Sequence, residues 1–137
     1  MKYTYFRLVL AVLLFLGGWQ IVSAETNELM VRCVAFYNLE NVFDTIHDEG
    51  KNDYEYLPDG GMKWTSLKYT NKIQNMAYAI AQLGTDEDPR GAAIVGVSEV
   101  ENIGCLHDLC KELKEKHNRN YVPILLEGPD RRGIDVG

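Results

Sequence analysis

Histidine, cysteine and positive charge are all scarce in this chain of 137 residues. Its three histidines are His47, His107 and His117, and its three cysteines are Cys33, Cys105 and Cys110. No zinc-site spacing can be made from them. An odd cysteine count argues against a disulfide framework. Cys105 and Cys110 fall five apart on an expected helix, about 140° round its axis, too divergent to bridge. Buried free thiols are the expectation. The formal net charge is −6, with 14 Lys+Arg against 20 Asp+Glu. That balance excludes a broad basic surface for non-specific binding to phosphate backbones. Positive charge for a phosphate ester must therefore be local, from a metal or a few arginines. Internal repeats and low-complexity tracts are absent too, which leaves one small domain with its own core.

Long apolar runs are limited to the start. Lys2 and Arg7 precede an uninterrupted apolar run over residues 8–16, then Gly17-Gly18, then Val22-Ser23-Ala24. A basic segment, a short apolar segment and small residues at the minus-three and minus-one positions predict a signal peptide over residues 1–24, cleaved after Ala24. The alternative is an uncleaved anchor, but the charge-free stretch 8–24 is only 17 residues long and carries glycines, the short limit for a span. No cysteine follows closely, so a lipoprotein is not indicated. Export to the periplasm or the exterior is expected, with no stable membrane insertion after cleavage. Loss of Lys2 and Arg7 leaves 113 residues with 12 Lys+Arg against 20 Asp+Glu, a net charge of −8.

In what remains, residues 31–37 are apolar except for Arg32 and rich in β-branched and aromatic types, which predicts a buried strand. Residues 44–65 are polar, carry several tyrosines and show no periodicity, a length of connection that is usually functional or mobile. Thr65 or Ser66 caps a helix running to about Leu83, with Ile73, Met76, Ala77, Ile80 and Ala81 on one face and Gly84 as the stop. Residues 92–97 are wholly apolar and of strand length, consistent with a strand covered on both faces. Asn102 caps a second helix with Ile103, Leu106, Cys110 and Leu113 on its apolar side. Residues 121–126 predict a third strand, and Ile134-Asp135-Val136 the beginning of a fourth. Helix-linked early strands make this an α/β chain.

Each of the first two strands runs into carboxylates and amides: Asn38-Leu39-Glu40-Asn41 after one, Ser98-Glu99-Val100-Glu101-Asn102 after the other. Ligands of α/β folds collect beyond the carboxyl ends of parallel strands, and oxygen donors suit a hard divalent cation. Glu99 is the strongest metal candidate, since a carboxylate at the end of a buried strand is costly to desolvate without a positive partner. Its other reading is an acid placed before a helix N-terminus, where negative charge is favoured anyway. Alternation sets Asn38 and Glu40 on one face with Leu39 opposite. Asn38 could orient a phosphate oxygen or a carboxylate, or close a turn through its own backbone. Glu40 could join the metal site.

The segments 35–44 (Ala-Phe-Tyr-Asn-Leu-Glu-Asn-Val-Phe-Asp), 94–102 (Ile-Val-Gly-Val-Ser-Glu-Val-Glu-Asn) and 132–136 (Arg-Gly-Ile-Asp-Val) together resemble the endonuclease/exonuclease/phosphatase superfamily, over about residues 31–137. The Glu-Val-Glu-Asn variant is similar to its secreted bacterial members. The resemblance implies a DNase I-like fold, a four-layered α/β sandwich of two packed sheets with the active site at one end. It implies hydrolysis of phosphate esters, often phosphodiesters, with Mg2+ or Mn2+, and a phosphate-ester substrate that includes nucleic acid among the candidates. Asn38 matches the asparagine of the catalytic pocket and Glu99 the metal-binding glutamate. Glu40 falls where some relatives carry an aspartate near the metal. Arg132 and Asp135 match a turn and the strand after it, with Arg132 read as turn or substrate-side.

The superfamily's catalytic histidine and its aspartate and asparagine pairs come from its later half. None of His47, His107 and His117 stands in a matching place. The expectation is thus that residues 25–137 form the N-terminal part of such a domain, truncated at the C-terminus, holding the metal side of the site without the general base and inactive alone. Two other readings compete: Glu40 and Glu99 as paired acids for glycoside hydrolysis, and an exported binding module that does no chemistry, using the long tyrosine-containing loop.

Overall fold

The computed structural model describes residues 30–137; the expected signal peptide, residues 1–24, lies outside the described residues. In chain order the elements are strand β1 (Val34–Val42), a 3₁₀ turn (Tyr54–Tyr56), helix α1 (Ser66–Gln82), strand β2 (Ile94–Val100), helix α2 (Ile103–His117) and the short strand β3 (Asp135–Val136). β1 and β2 are parallel neighbours, and β3 pairs antiparallel with β2, giving the sheet order β1-β2-β3. Parallel neighbours need a crossover, and α1 supplies it. No helix among the described residues is long and apolar enough to cross a membrane.

Both helices begin where short polar side chains can accept an orphan amide. Thr65 caps α1 by accepting from the Lys68 amide, and Asn102 caps α2 by accepting from the Cys105 amide at 3.0 Å, as their residue types foretell. The stop after α1 is Gly84, in the left-handed region at φ +74, where a side chain would also strike the Cys33 thiol. The buried face of α1 is Ile73, Ala77, Ile80 and Ala81. On α2 the buried residues are Cys105, Leu106, Leu109 and Leu113, whereas Ile103 is exposed and Cys110 only half-buried. Leu106 and Leu113 are shared with the face expected, and the apolar stripe of α2 is turned from it by only about 65°. All three thiols are free.

These helix faces pack on Leu39, Val42, Val97 and Val100 of the sheet to form the core. The opposite sheet face carries Val34, Phe36, Ile94 and Val136, between 45% and 70% exposed. β2 was expected to be covered on both faces; among the described residues one face is covered. Phe36 lies directly over Gly96, its register partner, where a side chain would meet the ring.

Three strand boundaries differ from expectation. β1 starts at Val34 and continues through the Asn-Leu-Glu-Asn segment to Val42, and β2 likewise carries on to Val100. The carboxylates therefore sit within irregular strand ends and not after them. Residues 121–126 form no strand beyond a single bridge, Leu126 to Val136. The polar segment after β1 is organised from within: buried Asp53 accepts from the Asp48 amide and pairs with His47, Tyr56 stacks on Phe43, and the Trp64 indole donates to the Phe43 carbonyl at 2.7 Å.

Candidate functional site

The parallel register of β1 and β2 is regular from Val34↔Ile94 to Asn38↔Ser98 and resumes at Val42↔Val100. Between those pairs Leu39, Glu40 and Asn41 face Glu99 alone. Glu99 is also the extra residue against β3, between Ser98↔Val136 and Val100↔Asp135. Such bulges interrupt the ladder and redirect side chains. Here they put three non-glycine residues into the left-handed region: Glu40 at φ 55, Asn41 at φ 62 and Glu99 at φ 62. Backbone strain of this kind gathers at functional sites.

The distortion brings two of the expected residues into contact. Asn38 Nδ2 donates to Glu99 Oε1 at 3.0 Å, and Asn38 Oδ1 accepts from the Glu40 amide at 2.8 Å. Asn38 thus does both things its sequence left open: it closes a local turn and orients the carboxylate. Leu39 is fully buried while Asn38 and Glu40 are exposed, the alternation expected. Glu99 comes from β2 with its second oxygen free of hydrogen bonds among the described residues.

Two cations reach these strand ends. Lys72 of α1 donates to the Glu40 carbonyl at 2.7 Å. Its burial lowers its proton affinity, and the charges of Glu40 and Glu99 work in the opposite direction. Arg132 sits in the turn before β3, paired with Asp130 at 3.1 Å and approaching Asn41 Oδ1 at 3.4 Å. The hydrogen bond to Asp130, with Asp130, Tyr56 and Glu99 as neighbouring acidic groups, strengthens its hold on the proton. Asp135 is structural: it is buried and accepts from the Gly128 amide at 2.6 Å.

A second cluster went unread in the sequence. Asp44, Glu101 and Cys105 bring possible ligand atoms within 4.8 Å of one another. Glu101 is 4% exposed, accepts from the Asp44 amide at 2.7 Å, and is pushed up to about 8 by burial and by Asp44, Asp48 and Asp53. Burial likewise pushes the Cys105 thiol to about 12. The only sequence signal was an acid immediately before an N-cap asparagine. Lys72 was missed because nothing local distinguishes a lysine in the second turn of a helix. The histidines stay away from the strand ends' hydrogen bonds: His47 pairs with Asp53, His117 meets Tyr78 edge-on, and His107 is exposed on α2.

Glu40 and Glu99 fit a hard divalent ion by donor chemistry, for both offer carboxylate oxygens. Asp44, Glu101 and Cys105 form a mixed set, and the neutral forms favoured there at Glu101 and Cys105 bind cations poorly.

No curated protein and no solved structure matches the chain. A family model does, that of the Endonuclease/Exonuclease/phosphatase family, over residues 33–137. Those residues take in both bulged strand ends, the crossover helix and the Arg132 turn, so the chain belongs to the endonuclease/exonuclease/phosphatase family.

Proposed function

We propose that this chain carries the metal side of a divalent-metal-dependent phosphoesterase, nuclease-like and acting on phosphodiesters. Family membership supports hydrolysis of phosphate esters; the observation that carries the finer reading is the Asn38–Glu99 hydrogen bond across two bulged parallel strands. Glu99, with Glu40 beside it, would hold Mg2+ or Mn2+. A bound ion would supply Lewis-acid polarisation of a phosphoryl oxygen and neutralise charge at the leaving oxygen. Asn38 would fix the Glu99 carboxylate through the hydrogen bond from its Nδ2 to Oε1. Arg132 offers local positive charge to the ester in a chain whose overall charge is negative. No histidine among the described residues is in place as a general base, so hydrolysis by residues 25–137 alone is not expected. The bare sheet face of Val34, Phe36, Ile94 and Val136 fits a second packed sheet, the four-layered arrangement of the DNase I-like fold.

The same missing base supports a second reading, an exported module that binds without chemistry. Metal binding separates the two. The phosphoesterase reading expects Mn2+ to bind the chain and Glu99→Ala to abolish that binding; an Ala variant that binds Mn2+ as the parent does would sink it. Hydrolysis of an activated phosphodiester that persists in EDTA would equally refute the metal assignment. Export is part of the proposal, and N-terminal sequencing of secreted protein should then begin at Glu25.

A further inference from the structure

Glu40 is held from both sides. Its amide donates to Asn38 Oδ1 at 2.8 Å, and its carbonyl accepts from Lys72 Nζ at 2.7 Å. The two contacts grip the peptide units on either side of a residue at φ 55. In a bulge the ladder no longer supplies those bonds, so a conformation costing about 1–2 kcal/mol for an L-residue needs outside support. Asn38 then passes the constraint to Glu99 Oε1 at 3.0 Å. A continuous series results: Lys72, the Glu40 backbone, Asn38, Glu99. Its outer end is a helix packed into the core through Ile73 and Ala77, a firmer support than the exposed strand ends.

We propose that Lys72 is a positioning residue of the metal site, fixing the β1 bulge so that Glu40 and, through Asn38, Glu99 present their carboxylates together. This rests on the reading of Glu99 and Glu40 as metal ligands. Lys72 touches no substrate in this role. Its ammonium also offsets the repulsion of two carboxylates at adjacent strand ends before an ion arrives, which burial of the lysine stem makes more effective than a solvated charge.

The test is Mn2+ affinity of the full chain, followed by electron paramagnetic resonance of the free ion, with amide hydrogen exchange alongside. Lys72→Met keeps the apolar stem and removes donor and charge. It should weaken Mn2+ binding about tenfold or more, the range found when groups that orient metal ligands are lost. The Glu40 amide should exchange faster, while core amides such as Ile80 and Leu109 stay protected. Lys72→Arg, which keeps a donor and the charge, should restore most of the affinity. Should Lys72→Met fail to fold, Lys72→Gln serves, being polar but too short and uncharged, with the same loss expected. Unchanged affinity in Lys72→Met or Lys72→Gln overturns the proposal and leaves the metal reading standing. A parent chain that binds no Mn2+ overturns both. Equal losses in Lys72→Met and Lys72→Arg with faster exchange throughout the core would mean general destabilisation, and also overturn it.

Discussion

Replacing Glu99 by glycine and, separately, by alanine should invert the usual ranking of those two residues. At an ordinary strand or helix position glycine is worse than alanine by about 0.5–1 kcal/mol, because it loses more freedom on folding. Glu99 stands at φ 62, where an L-residue pays about 1–2 kcal/mol and glycine almost nothing. Both variants lose the hydrogen bond from Asn38, so that loss cancels in the comparison. Glycine's extra freedom in the unfolded chain takes back about 0.4–1 kcal/mol of the gain. The net is a glycine variant more stable than the alanine variant by roughly 0.5–1 kcal/mol. Urea denaturation in EDTA measures it, and Mn2+ titration should find no binding in either variant. An alanine variant as stable as the glycine variant would refute the claim that strain is held at this residue. If the inversion appears, the carboxylate is kept at a conformational cost, which is what a ligand position requires and a chance helix-proximal acid does not.

Two further outcomes follow from the packing around the site. Leu39 is fully buried beneath the bulge, so Leu39→Ala should cost about 2–5 kcal/mol, read as a lower urea midpoint; a loss under 1 kcal/mol would mean that the bulge collapses into the space. Glu101 gives a pH signature. Its carboxyl is raised from 4.5 to about 8 by burial, so between those values the folded chain holds a proton that the unfolded chain has released. That contribution to stability is complete below about pH 4.5 and is lost as pH rises through about 8. Glu101→Gln, neutral throughout, should gain on the parent across this window by on the order of a few kcal/mol, at about 1.4 kcal/mol per factor of ten. Parallel stability–pH curves for the two proteins, measured without metal, would exclude a protonated Glu101.

Much of the fold could be read locally. Thr65 and Asn102 announce their helices because an N-cap needs only a short acceptor and the next three amides. The β-α-β order followed from the alternation of apolar runs and an amphipathic segment, and Gly84 marked the end of α1 through its conformational freedom. Residues 121–126 are strand-like in composition, yet Leu126 alone pairs, with Val136, since composition does not supply a partner. The face of α2 is turned by part of a residue, keeping Leu106 and Leu113 but exchanging Ile103 and Cys110 for Cys105 and Leu109, because periodicity gives a stripe and the partner surface decides where it points.

For the site, the sequence by itself determined which residues are present and roughly where: Asn38 and Glu40 at one strand end, Glu99 at the next, no histidine near either. Those positions depend on chain order and side-chain chemistry, which are local. Only the tertiary structure decided that three residues of β1 oppose one of β2, that Asn38 reaches Glu99, that Lys72 bonds the bulge from another element, and that Glu101 is buried. Register shifts, burial and charge–charge contact arise between segments distant along the chain. No reading of either segment alone contains them.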